Sequence, residues 1–148
     1  MTPPLVLLDT DTLSEVMKGK NPSVEQRARE YLRAHGQFRF SVITRYEILR
    51  GLKSKQAARQ ISAFENRCSK SYIYPVTDEI VVKASDLYAD LHKNGLLISD
   101  ADILIAATAI VHNLTLITGN VFHFNRISNL SCTSWNLPDE VSVSGRES

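Results

Sequence analysis

Little in this chain can brace it covalently. Two cysteines, Cys68 and Cys132, are the whole supply in 148 residues, far apart and without a metal-ligand spacing. A disulfide framework needs more, so the pattern predicts a reducing cytoplasm and two buried, chemically quiet thiols. Long hydrophobic runs are missing as well. The longest strongly apolar stretch, Ile103 to Val111, contains Thr108 and is far shorter than the roughly 20 residues a membrane helix needs. No basic flank or small-residue cleavage site opens the chain, so no signal peptide is expected. An overall excess of charge is lacking too, because the formal net charge is only +1.

What remains is ordinary for one globular domain: 43% hydrophobic and 22% charged residues, enough to bury a core unaided. The charge is unevenly spread. Residues 1–74 hold 13 Lys/Arg against 7 Asp/Glu, whereas residues 75–148 hold 4 against 9. Arg45, Arg50, Lys53, Lys55 and Arg59 fall within one short segment, where a phosphate backbone would be attracted. A solvated helix face explains any one of them equally well.

Leu5-Val6-Leu7-Leu8 is apolar without alternation, as in a strand covered on both faces of a parallel sheet. It stops at Asp9-Thr10-Asp11-Thr12, where Thr12 and Glu15 have capping-box spacing. Asn21-Pro22 breaks that first helix, and a second is expected over Val24 to Ala34, ended by Gly36. Phe38 to Ile43 reads as the next strand, with Thr44 and Glu47 again at capping-box spacing. That helix runs to about Leu52, and another spans roughly Gln56 to Cys68. Tyr72 to Val76 is a short strand made peripheral by Pro75. From Asp78 to Lys93 apolar residues recur at three and four, marking an amphipathic helix. Ser99 then opens a helix apolar nearly all round. Leu114 to Thr118 is a strand, and Leu130 to Trp135 a last edge strand. The pattern predicts an α/β fold, a central parallel sheet of about four to five strands with helices on both faces. Residues 1–136 form the domain, and the tail 137–148 is expected to be disordered.

In open parallel sheets, ligands bind beyond the carboxyl ends of the strands. At those positions stand Asp9 and Asp11, Thr44 and Glu47, Asp100 and Asp102, and Thr118 and Asn120. All are oxygen ligands, with no histidine or cysteine among them. Such a set suits Mg²⁺ or Mn²⁺ over Zn²⁺, and clustered carboxylates repel unless a cation lies among them. The chemistry that follows is hydrolysis of a phosphodiester. Singly, each acid has a plainer explanation as a cap or a helix-dipole partner. Jointly that explanation weakens, because Asp102 leads directly into Ile-Leu-Ile-Ala-Ala and a charge there wants a partner. Asp100 and Asp102 point about 200° apart on a helix, so only one faces the site, and the spacing leaves the choice open.

The segments Leu8-Asp9-Thr10-Asp11-Thr12-Leu13-Ser14, Ser41 to Gly51, Asp102 to Ala109, and Leu116-Ile117-Thr118-Gly119-Asn120 followed by Phe124 resemble PIN-domain ribonucleases. Within that family they are similar to the VapC-type toxins of type II toxin–antitoxin pairs, over residues 5 to 136. The resemblance implies acidic metal ligands at Asp9, Glu47 and Asp102, which makes Asp100 auxiliary. It places the family's fourth position on the neutral Asn120, able to hold a water. Thr10, Thr44 and Thr118 then look like hydroxyls that orient carboxylates or a water. Three residues beyond Asn120, where similar toxins are often acidic, stands His123, which reads as a surface histidine. The resemblance also implies a Mg²⁺ or Mn²⁺ cofactor and cleavage of single-stranded RNA to a 3′-hydroxyl and a 5′-phosphate. Arg45, Arg50, Lys53 and Lys55 are then RNA-binding, tRNA is a target class, and partners are a cognate antitoxin and a second copy in a homodimer. Two rivals stand beside it. One is a PIN-like RNA-binding module without catalysis. The other is a haloacid-dehalogenase-like phosphatase, suggested by Asp9-Thr10-Asp11 but short of a lysine at another strand end.

Overall fold

The computed structural model describes residues 3–136; the tail expected at 137–148 lies outside the described residues. Five strands form one sheet: β1 (Val6–Leu8), β2 (Arg39–Ser41), β3 (Tyr72–Tyr74), β4 (Thr115–Ile117) and β5 (Cys132–Thr133). Their order is β3-β2-β1-β4-β5, and every pairing is parallel. The α/β expectation holds, with β3 and β5 at the edges where Pro75 and the short final run had placed them.

Among the described residues seven helices connect the strands: α1 (Thr10–Lys18), α2 (Pro22–His35), α3 (Val42–Ser54), α4 (Ala58–Ser69), α5 (Asp78–Lys93), α6 (Asp100–Val111) and α7 (Val121–Phe124). Side chains alternate across each strand, so the sheet separates two cores. Leu7 and Leu116 face one core with Ile103, Ile105 and Ala106 of α6 and Ile80 and Leu91 of α5. Val6, Leu8, Phe40 and Ile117 face the other, with Leu13 of α1, Tyr31 of α2 and Phe64 of α4. Helix α6 is apolar on all sides because it packs against α5 as well as the sheet.

The starts of α1 and α3 and the end of the second strand differ from expectation because these two helices start sooner, whereas α4 starts later than expected, at Ala58. The cap of α1 is Asp9 and not Thr12: Asp9 Oδ1 accepts from the Thr12 amide at 2.8 Å, while the Thr12 hydroxyl donates to the Ile117 carbonyl at 3.1 Å. The cap of α3 is likewise Ser41 and not Thr44, its hydroxyl accepting from the Ile43 amide at 2.9 Å. The second strand therefore ends at Ser41, and Val42 and Ile43 open a helix. Capping-box spacing alone could not tell the first residue off the strand from one three positions later. Ser99 does cap α6, accepting from the Asp102 amide. Helices α1 and α2 end on Gly19 and Gly36 at φ +64° and +83°, a left-handed conformation that suits glycine.

Candidate active site

The pieces of the site gather at the carboxyl edge of the sheet. Strand β1 stops at Asp9, whose amide donates to the Ile117 carbonyl at 3.0 Å, so the residue is anchored to β4 before its side chain caps α1. The residue is 5% exposed. Burial pushes its pKa up from the ordinary 3.8; hydrogen bonds from the Thr118 hydroxyl and from Thr12 pull it back, and the neighbouring Asp11 charge adds to the rise. No cation pairs with Asp9 among the described residues.

The second turn of α3 and the first turn of α6 bring the other two acids. Asp9, Thr10, Asp11, Glu47, Arg50 and Asp102 line one open cleft of about 260 Å³. Thr10 Oγ1 donates to Glu47 Oε1 at 2.6 Å and stands 3.0 Å from the buried Thr44 hydroxyl, which fixes Glu47 from below. Arg50 Nη2 lies 3.8 Å from Glu47 Oε2, one turn along α3. Asp102 Oδ2 meets His123 Nε2 at 3.1 Å. Asp100 is exposed and does not line the cleft, so the helical period turns it outward as the 200° argument requires. Thr118 is fully buried and holds Asp9, while Asn120 caps α7, its side chain accepting from the His123 amide at 3.4 Å.

Two readings need correction. His123 is half-buried against Asp102 and is not a free surface histidine. Nothing local in the sequence pointed to that contact, which joins residues 21 positions apart. The thiols are not both buried either: Cys68 is, whereas Cys132 on the edge strand β5 is half-buried. Burial pushes both thiols up in pKa, which keeps them protonated and quiet. The basic segment also divides. Arg50 lines the cleft, and Lys55 lines an adjoining groove shared with Thr10 and Glu47. Arg45 turns away, bound to Glu65 of α4 at 2.9 and 3.2 Å and donating to Cys68 Sγ at 3.2 Å. Lys53 is exposed near Glu65.

Among the described residues no three His, Cys, Asp or Glu side chains enclose an ion-sized space. The donor chemistry nonetheless suits a hard divalent cation. All three acids open on one cleft, and Asp9 is buried with only neutral partners, a charge that wants compensation. Mg²⁺ in particular keeps several waters and takes only a few carboxylates, so an open cleft is the form expected of its site.

Residues 6–129 match the family model for the PIN domain, and the chain belongs to that family. Ribonuclease VapC1 of Methanocaldococcus jannaschii is 33% identical over 122 residues, covering 82% of this chain and 80% of that one. Ribonuclease VapC2 of Rickettsia felis is 30% identical over 132 residues, covering 88% and 98%. A solved structure, VapBC2 from Rickettsia felis bound to a DNA fragment from their promoter, superposes with a TM-score of 0.78 at 28% identity, over 88% of this chain and 98% of that one. This membership displaces the haloacid-dehalogenase-like reading, and no lysine lines the acidic cleft. No helix among the described residues is long and apolar enough to cross a membrane.

Proposed function

We propose that the chain is a metal-dependent endoribonuclease and the toxin of a toxin–antitoxin pair. Its substrate is RNA with unpaired segments, tRNA being the target class, and the proposed partners are a cognate antitoxin and a second copy of the chain. The observation that carries the reading is the convergence of Asp9, Glu47 and Asp102, from β1, α3 and α6, on one cleft at the carboxyl edge of a parallel sheet. The names of its VapC relatives support the ribonuclease class and the toxin role.

Mg²⁺ or Mn²⁺ would be held by Asp9, Glu47 and Asp102, and when bound it supplies charge to the phosphate and lowers the pKa of water. The chain's own groups do the rest. Thr10 and Thr118 hold Glu47 and Asp9 by hydroxyl donation. Arg50 presents its guanidinium at the cleft to a phosphate oxygen. A cleft carboxylate takes the proton of the attacking water, whose oxygen bonds to phosphorus as the bond to the 3′ oxygen breaks. The leaving oxygen gains a proton from solvent, leaving a 3′-hydroxyl and a 5′-phosphate.

Purified chain incubated with total tRNA and with an unstructured RNA tests this. Cleavage should stop in EDTA and return with Mg²⁺ or Mn²⁺. Full cleavage in chelator would refute the metal requirement, and binding without cleavage under any ion would favour an inactive RNA-binding module. Growth arrest on expression, relieved by the protein of a neighbouring reading frame, would test the toxin role.

A further inference from the structure

Asp9 and Asp102 lie at the two ends of a hydrogen-bonded chain that runs through the turn after β4. The Thr118 hydroxyl bonds Asp9, and the Asn120 amide donates to Thr118 Oγ1 at 2.9 Å. The His123 amide donates to the Asn120 side-chain oxygen at 3.4 Å, and the His123 ring reaches Asp102 Oδ2 at 3.1 Å. An ionised carboxylate only accepts hydrogen bonds, so Nε2 carries the proton and donates. The ring is braced edge-on against the buried Phe124, centroids 5.4 Å apart at 88°. Asp102 Oδ1, by contrast, has no protein partner among the described residues.

We propose that His123 is a positioning residue that occupies one oxygen of Asp102, and that the cleft consequently takes one divalent cation and not two. The inference rests on the proposed metal-dependent function. Two ions in a shared site sit about 3.5–4 Å apart, which calls for acids able to serve both. Here Oδ2 of Asp102 is held by a donor, and the side-chain oxygen of Asn120 is neutral and spent on capping α7. Asp11 is the remaining acid of the cleft, exposed on the α1 rim with no side-chain hydrogen bond among the described residues. One loose carboxylate does not strip a second small dication of its water. The same grip orients Asp102 for the first ion, since hydrogen bonds to ligating carboxylates commonly sustain affinity.

Titration of metal-freed full-length chain with Mn²⁺, followed by calorimetry and by the paramagnetic resonance signal of free Mn²⁺, reads stoichiometry without relying on activity. Wild type should bind one ion. His123→Ala should keep one site with affinity weakened about tenfold or more, and His123→Gln, which restores an N–H donor, should recover most of it. His123→Asp, replacing the donor with a carboxylate, should gain a second site. The backbone amide that Asn120 receives survives in every variant, and circular dichroism checks the fold. Should the alanine variant unfold, the glutamine and aspartate variants decide. Two ions on the wild type, unchanged affinity in a folded alanine variant, or a single site in a folded aspartate variant would overturn the inference alone. A wild type that binds no Mn²⁺ yet cuts RNA in chelator would overturn the metal reading along with it.

Discussion

Asp9 serves the fold and the site with one side chain. It caps α1 through Oδ1 and offers a buried charge to the cleft. Its pKa is raised chiefly by desolvation, so the native state binds that proton more tightly than the unfolded chain does. Stability from this residue is therefore fullest at acid pH, and falls as pH climbs from about 3.8 through the raised folded value. Asn caps as well as Asp does and carries no charge. Asp9→Asn should accordingly melt higher than wild type at pH 7 in EDTA, with the gap closing toward acid pH, while RNA cleavage falls at least a hundredfold. An unchanged or lower melting temperature at pH 7 would contradict the desolvation account. The two arginines make a second contrast. Arg50→Ala should weaken cleavage and RNA affinity several-fold in a filter-binding assay, because Arg50 lines the cleft. Arg45→Ala should leave cleavage within about twofold, because Glu65 and Cys68 already engage that side chain. At this scale the acids were legible as residues, since Asp9 stands just past an apolar run, Glu47 a turn beyond another, and Asp102 directly before a third. The capping role of Asp9 was not, because Thr12 and Glu15 imitate a capping box, and the true cap depends on an amide bonded to Ile117 on another strand.

Helix α6 ties the core to the chemistry. Ser99 sets its first turn by accepting from the Asp102 amide at 3.2 Å, and Ile103, Ile105 and Ala106 bury it beneath the sheet. Ile105 is fully buried, so Ile105→Ala should cost about 2–5 kcal/mol in urea unfolding. Ser99→Ala should cost about 1 kcal/mol. It should also lower cleavage, since the amide it frees belongs to Asp102; unaltered cleavage would show that the cap and the carboxylate are uncoupled. Elements of this length announce themselves by period: Asp78–Lys93 was bounded correctly because three-and-four spacing persists over four turns. The strands were harder, because β1 to β4 hold only three residues each before a helix or turn begins. Alternation has no room to declare itself in three residues, and Val42 and Ile43 looked like strand for that reason. Helix α7 is shorter still, and its contact with Asp102 arises from how the turn after β4 packs beside α6, which no local pattern encodes.

On the scale of the whole molecule, the site is a junction. Asp9, Glu47 and Asp102 belong to elements far apart in the chain, and the parallel order β2-β1-β4 brings them to one edge. An unfolded chain does not hold these carboxylates together, so a cation that needs all three binds the folded state alone. Binding then stabilises by RT ln(1 + [ion]/Kd), about 2.7 kcal/mol at a hundredfold excess over Kd. At 148 residues, 1 kcal/mol shifts the melting temperature by roughly 2–4 °C, so saturating Mn²⁺ should raise it by about 5–11 °C. Part of that rise is relief of the buried Asp9 charge, which no protein cation offsets among the described residues. Asp9→Asn should therefore start higher in EDTA and gain almost nothing from Mn²⁺, so that the two melting curves converge or cross as the ion is added. Asp100→Asn, changing an acid that faces solvent, should keep the full wild-type response. If Asp9→Asn responded to Mn²⁺ as strongly as wild type, the ion would be binding elsewhere on the molecule, and the cleft would lose its claim to it.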